Sequence, residues 1–321
     1  MMFDVITVGS ATVDAFVQTG NKLFRGSNGI VKVPFGSKIA IDDIFFDIGG
    51  GGTNTAVALA RLGLKVAFLG KIGKDYNSEK VLELLRKEKV DTSLVKRGNE
   101  GTGFSVILDA YRHDRTILTF KGSNNGLDFG EIPLGSLKTK WFYFCSMMNK
   151  SFKSMERLGV YAKKNGIKVM FNPSSYLTEK GLEYLRRVVS CSMILVLNKE
   201  EAMMLVKSKG IKKILAELHS LGPEIVIVTD GPRGVFVYHQ ECYYAAKPHK
   251  INVVETTGAG DAFGSGFLVG YINTNDAKFA LKLGLLNAEA VIQNVGNKHN
   301  LPRWSDALKM MKRHPTPILE F

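Results

Sequence analysis

Val254-Glu255-Thr256-Thr257-Gly258-Ala259-Gly260-Asp261-Ala262-Phe263 joins an extended run at 251–254 to a helical pattern over 262–271. Two glycines therefore fall where a helix begins, and an aspartate follows at once. A helix N-terminus carries N–H groups with no intrahelical acceptor and a partial positive charge, so it holds anions. Glycine lets the backbone come close to such an anion. A carboxylate beside an anion hole would repel a bound phosphate. It makes sense there if it takes a proton from a hydroxyl that then attacks the phosphorus.

Working outward, apolar β-branched runs at 5–8, 66–69, 141–145, 169–171, 193–197 and 225–228 alternate with helical patterns at 53–62, 77–88, 152–165, 178–188, 199–206 and 211–221. This alternation predicts an α/β fold, a mostly parallel sheet covered by helices on both faces, with ligands at the carboxyl ends of its strands. Two regions break the pattern. Residues 12–47 hold strand-like pieces at 14–18, 29–34 and 38–46, and residues 102–120 read as a hairpin of 103–109 and 115–120 turned through 110–114. They predict a small separate sheet, placed as a lid that excludes water from phosphoryl transfer. Helical patterns at 276–293 and 305–312 follow, and Pro315 and Pro317 predict a loose tail. One domain spanning 1–321 is expected.

The 321 residues are 45% hydrophobic and 23% charged, ordinary values for a globular protein. Cys145, Cys191 and Cys242 lie in apolar segments and read as buried free thiols in a reducing compartment. Residues 1–9 read as a strand running into a glycine turn rather than a secretion signal. No apolar run reaches the roughly 20 residues that a membrane helix needs. The expected location is cytoplasmic, with no membrane partner. The net charge of +13 comes from lysines spread along helical segments, without an aromatic-interleaved basic stripe. Nucleic acid is therefore not an expected partner; the excess charge suits attraction of polyanions such as nucleotides.

Four further stretches carry candidate chemistry. Gly49-Gly50-Gly51-Gly52-Thr53-Asn54 follows a strand pattern and opens a helix, so the backbone can approach a ligand; no Walker-type loop occurs. Asp14, just past the first strand, reads locally as a turn or cap aspartate that could also accept from ligand hydroxyls. Asn198-Lys199-Glu200-Glu201 has capping-box spacing and also offers Asn198 and Glu201 to a hydrated Mg²⁺ and nucleotide phosphates. Thr229-Asp230-Gly231-Pro232-Arg233-Gly234 is a turn after a strand, able to touch nucleotide. Asp128-Phe129-Gly130 matches the protein-kinase metal tripeptide without the rest of that set, and reads as coincidence.

Together these residues resemble the ribokinase-like, or PfkB, family of carbohydrate and nucleoside kinases. The resemblance runs roughly from Val5 to Gly296 and rests on two signatures about 200 residues apart, Gly49–Asn54 with the helix after it, and Glu255–Asp261. It implies a three-layer α/β/α sandwich with a mostly parallel central sheet and a small β-sheet lid. It implies a phosphotransferase with an alcohol group as acceptor, in which Asp261 is the catalytic base and Gly258, Ala259 and Gly260 form the anion hole. Asp14, Gly50 and Asn54 are then substrate contacts. Asn198, Glu201, Thr229 and Gly231 serve the nucleotide, Asn287 lies beside the adenine, and Glu201 holds Mg²⁺ through water. Family members also hold a monovalent cation such as K⁺ near Thr257, on which Glu255 would bear. The implied partners are ATP and a small sugar or nucleoside acceptor, with a sugar phosphate as a third class, and a homodimer formed through the lid. Glu255 replaces the family's usual aspartate, Gly51 stands where ribokinases have lysine, and Asn172-Pro173-Ser174-Ser175 lacks the arginine found near there in sugar kinases. The competing class is a catalytically silent binding protein on the same fold.

Overall fold

The computed structural model describes residues 2–18, 35–109, 115–294, 296, 298 and 300–321. The expected strand at 29–34 and the turn at 110–114 lie outside the described residues. The chain opens with β1 (Phe3–Val8), β2 (Thr12–Gln18), β3 (Asp43–Gly49), α1 (Gly51–Arg61), β4 (Val66–Leu69), β5 (Lys71–Ile72), α2 (Tyr76–Lys87) and β6 (Lys96–Arg97). It continues with β7 (Gly103–Asp109), β8 (Arg115–Phe120), β9 (Thr139–Cys145), α3 (Asn149–Lys164), β10 (Lys168–Asn172), α4 (Ser175–Thr178), α5 (Leu182–Cys191) and β11 (Ile194–Asn198). Then come α6 (Lys199–Leu205), α7 (Ile211–His219), β12 (Ile225–Thr229), β13 (Val235–His239), β14 (Cys242–Ala246), α8 (Ala259–Thr274), α9 (Ala277–Ile292), α10 (Trp304–Arg313) and β15 (Leu319–Glu320).

The large sheet has the order β15-β14-β13-β12-β11-β10-β9-β1-β4; β4 through β12 in that order are parallel and the far edge is antiparallel. Successive side chains of a strand point to opposite faces, and both faces here are apolar. Val5, Tyr143 and Ile227 pack with α1, α8 and α9, while Ile6, Phe142, Phe144 and Val228 pack with α3, α5 and α7. The two cores make the three layers. Helix α8 is buried from Ala262 to Tyr271 and so reads as apolar all round rather than amphipathic. Truncating its fully buried Phe267 to alanine would cost about 3–5 kcal/mol.

A second sheet, β3-β2-β7-β8, forms the lid. Its register sets two rows of opposite character. Asp14 pairs with Ser105, and Ser105 with Thr119, on one face; Ala15 pairs with Phe46 and Val106, and Val106 with Leu118, on the other.

Three expectations need correction. The run at 251–254 forms no strand; it is irregular backbone, and the N–H groups of Val254 and Glu255 both reach Ile292 O. The tail after Pro317 is not loose, because Leu319–Glu320 pairs with β14. Cys191 and Cys242 are half-exposed rather than buried.

Candidate active site

A cleft of about 380 Å³ opens at the carboxyl ends of β1 and β9 to β12, and the Asp14–Ser105–Thr119 face of the lid closes over it. Asp14 is a buried mid-strand residue, not a cap; Thr12 Oγ1 donates to its Oδ1 at 2.8 Å. A Cβ on Gly49 would lie 1.8 Å from Asp14 Oδ2, so only glycine leaves room for that carboxylate. Asn124 grips the connection between β1 and β2 with both arms of its amide. Its Oδ1 accepts from Ala11 N at 2.9 Å and its Nδ2 donates to Ala11 O at 2.8 Å.

Helix α1 begins at Gly51 and turns Asn54 toward α8, where Asn54 Nδ2 donates to Asp261 Oδ2 at 2.8 Å. Lys298 Nζ donates to Asn54 Oδ1 at 2.8 Å and to Ile48 O. A buried ammonium, an amide and a partly buried carboxylate thus form one chain. Burial pushes the Asp261 carboxyl up to about 6, against the pull of the Asn54 N–H and the Lys298 charge. Burial likewise pushes the Lys298 ammonium down, opposed by Asp47, Asp14 and Asp261. Cys145, also in the cleft, is raised by burial and by the Asp261 carboxylate, and so stays a thiol.

Asp261 lies in the first turn of α8, whose N-cap Gly258 has φ 82° and ψ −4°, the left-handed conformation that favours glycine. Ala262 N–H closes onto Gly258 O at 2.9 Å, and the N–H groups of Gly260 and Asp261 before it have no carbonyl within the helix. Gly258 and Gly260 line the cleft. Ala259 does not, and its N–H is directed to Thr256 O at 3.3 Å.

On the other side of the cleft stand Asn198, Glu201 and Thr229. The capping box is formed as expected: Asn198 Oδ1 accepts from Glu201 N at 2.8 Å, and Glu201 Oε2 accepts from Asn198 N at 2.9 Å. Burial pushes Glu201 up to about 7. No group of three or more His, Cys, Asp or Glu able to hold a metal occurs among the described residues. A divalent cation here would keep most of its waters, as Mg²⁺ does, and its charge would relieve the cost of ionising Glu201. The residues present fit Mg²⁺.

Gly231, Asn287 and Glu255 are not in the cleft wall. Gly231 starts a 3₁₀ turn beyond β12. Asn287 is wholly buried where α9 meets α8, with Nδ2 donating to Ala262 O at 2.7 Å. Glu255 Oε1 accepts from Thr257 N at 2.9 Å and Thr257 Oγ1 at 2.8 Å, and Thr257 itself lines the cleft. Asp128 pairs with Lys150 and caps a 3₁₀ turn, a structural role.

The model of the pfkB family of carbohydrate kinases matches residues 3–304. The chain belongs to that family. It is 29% identical over 255 residues to a sugar kinase of Archaeoglobus fulgidus, covering 78% of this chain and 100% of the relative. The nucleoside kinase structure from Methanocaldococcus jannaschii superposes with a TM-score of 0.82 at 22% identity, over 98% of this chain and 99% of that one. An Escherichia coli protein assigned as ribokinase II and solved with ATP and Mg²⁺ gives 0.84 at 18% identity, over 98% and 100%. The three-layer sandwich with a smaller lid sheet is thus the ribokinase fold, and the chain is a kinase of the pfkB family.

Lys298, Asn124 and Lys121, all at or beside the cleft, escaped the sequence reading. Lys298 meets Asn54 across 244 positions, and Asn124 meets Ala11 across 113. The one local sign for Asn124 is its place beside Gly122, where a strand pattern ends. For a nucleoside acceptor, the lid sequence offers Phe16, Phe104 and Tyr111 as an aromatic wall for the base. Phe16 stacks on Phe45 with centroids 4.4 Å apart, Phe104 packs against the core, and Tyr111 lies outside the described residues. For a sugar-phosphate acceptor, the lid sequence offers Lys22, Arg25 and Lys38 to a second phosphate; Lys38 is exposed, and Lys22 and Arg25 lie outside the described residues.

Proposed function

We propose that this protein transfers the γ-phosphoryl group of ATP to a primary hydroxyl of a sugar or sugar-like acceptor. The observation that carries the reading is a partly buried carboxylate, Asp261, held by Asn54 and Lys298 in the first turn of a helix whose N-terminus faces the cleft. A base titrating near 6 is mostly ionised at neutral pH yet still accepts a proton readily. Asp261 takes the acceptor's hydroxyl proton, the acceptor oxygen bonds to the γ-phosphorus, and the bond from that phosphorus to the bridging oxygen breaks, releasing ADP. The N–H groups of Gly258, Gly260 and Asp261 at the start of α8 stabilise charge on the group in flight. Asp14, Gly50 and Asn54 hold the acceptor; Asn198, Glu201 and Thr229 hold the donor. Glu201 and Asn198 would hold Mg²⁺ through water, and Mg²⁺ supplies charge neutralisation at the phosphates.

A nucleoside acceptor would use the same machinery. The polar cleft wall of Thr12, Ser105, Thr119 and Asn124 favours a sugar. A monovalent cation such as K⁺ near Glu255 and Thr257 is part of this proposal, tested by stimulation with KCl over tetramethylammonium chloride. So is a homodimer through the lid, whose outer face leaves Phe46 61%, Leu118 57% and Phe120 55% exposed; sedimentation of Phe46→Lys against the parent tests it. The decisive experiment for the chemistry is Asp261→Asn. Turnover should drop by several orders of magnitude while nucleotide still binds by calorimetry; near-parental kcat would remove Asp261 as the base.

A further inference from the structure

Lys121 is the one cation among the described residues lining the cleft, against three carboxylates, Asp14, Glu201 and Asp261. It directly follows β8 and so belongs to the lid side, with Asp14 and Thr119. The candidate donor residues Asn198, Glu201 and Thr229 instead stand at the ends of β11 and β12. Its ammonium lies over the ring of Tyr176, 4.5 Å from the centroid, and forms no salt bridge with a described residue. Burial pushes its pKa down, and Asp14 only partly opposes that. A half-buried ammonium without a paired carboxylate is costly unless a ligand brings the counter-charge. Tyr176 is the only aromatic among the described cleft residues and is spent beneath this cation.

We propose that the acceptor carries an anionic group, a carboxylate or a phosphate, which Lys121 binds at the end of the acceptor opposite the reacting hydroxyl. The inference rests on the kinase reading above and names the acceptor class for that same site. A polyhydroxy chain lies along Asp14, Ser105 and Thr119, its hydroxyl meets Asp261, and its charged end meets Lys121. Lys121 is a specificity residue; the phosphoryl transfer itself is unchanged.

The test offers ATP and Mg²⁺ with matched acceptors: neutral sugars, the corresponding sugar acids, sugar monophosphates and nucleosides. The expected result is a kcat/KM for one charged class about 10- to 100-fold above its neutral counterpart, the advantage of a charge-assisted hydrogen bond. The acid and phosphate arms tell the two anions apart. Lys121→Met should cut that charged-to-neutral ratio about 10- to 100-fold, mainly through the acceptor KM, and Lys121→Arg should keep most of it. Melting temperatures and ATP binding of both variants guard against misfolding. Neutral sugars or nucleosides used as well as charged ones would overturn the inference. So would an unchanged ratio in Lys121→Met, or a loss that falls on the ATP KM instead. Phosphorylation of neutral acceptors alone would leave the kinase reading standing, whereas no product from any acceptor would remove both.

Discussion

Replacing Lys298 with methionine probes the chain of contacts that holds Asp261. Methionine keeps the apolar stem but leaves Asn54 Oδ1 and Ile48 O without their donor in a buried place. Each orphaned acceptor costs about 1–3 kcal/mol, and removing a buried ammonium offsets part of that. The net loss of stability should be on the order of 1–2 kcal/mol, which a domain with a normal margin survives. The effect on the base is the sharper signal. At an effective dielectric of 20, a unit charge two hydrogen-bond lengths away contributes on the order of 2 kcal/mol, about 1.5 pKa units. Asp261 titrates at about 6 in the intact protein, so about nine tenths is ionised at pH 7. Lifted by about 1.5 units, about a quarter would be ionised. The base works ionised, so raising its pKa moves the loss of activity to higher pH. The acid limb of kcat/KM, measured from pH 5 to 9, should shift upward by about one to two units. Activity at pH 7 should fall about fourfold and largely return above pH 8.5, and Lys298→Arg should restore much of the parental profile. An activity loss equal at every pH would refute the reasoning, leaving Lys298 a purely structural residue.

Glu201 titrates at about 7 when folded, above its ordinary 4.5. Its contribution to stability is therefore complete below pH 4.5 and lost as pH rises through 7. Glu201→Gln should stabilise the protein at pH 8 and not at pH 5, by on the order of 1–3 kcal/mol, seen as a higher melting temperature at pH 8 alone, while weakening Mg·ATP binding in calorimetry. A variant equally stable at both pH values would count against a costly buried carboxylate. Gly258→Ala must place a side chain at φ 82° and should lose about 1–2 kcal/mol by denaturant titration. At Gly260 an added Cβ meets nothing within 4 Å, so Gly260→Ala should fold normally and lose turnover alone, because its methyl enters the phosphate's space. Gly49→Ala should drive Asp14 aside and raise the acceptor KM at least tenfold with little change for ATP; an unchanged acceptor KM would remove Asp14 from the acceptor site.

The parallel strands were legible because each is a compact apolar run between helical patterns; β4 has the bounds read from the sequence. The hairpin β13–β14 was not. Its turn places Gln240 and Glu241 at φ 50° and 63°, left-handed positions usually marked by glycine or asparagine, so the usual signal is absent. In the candidate site, the two glycine signatures were legible because helix starts impose local rules. Asn54 was reached through its signature, but its bond to Asp261 spans 207 positions. Lys298 lies in a loop with no periodicity, and only tertiary structure brings its ammonium to Asn54. The place beside the adenine that the resemblance gives Asn287 has no local sequence sign, and the structure shows its side chain joining α9 to α8.

Only Gly9, Ser10 and Ala11 separate β1 from β2, and Asn124 pins that connection at Ala11. Asp14 therefore belongs to the lid sheet, while Asp261 sits in α8 beside the large sheet. On the proposed reading, an acceptor that bridges them must satisfy both pieces at once for its nucleophile to stand in line with Asp261. A near-miss sugar can satisfy Asp14, occupy the cleft and still stand out of line. Discrimination on such a scaffold is exercised in turnover more than in occupancy, and poor substrates should behave as competitive inhibitors.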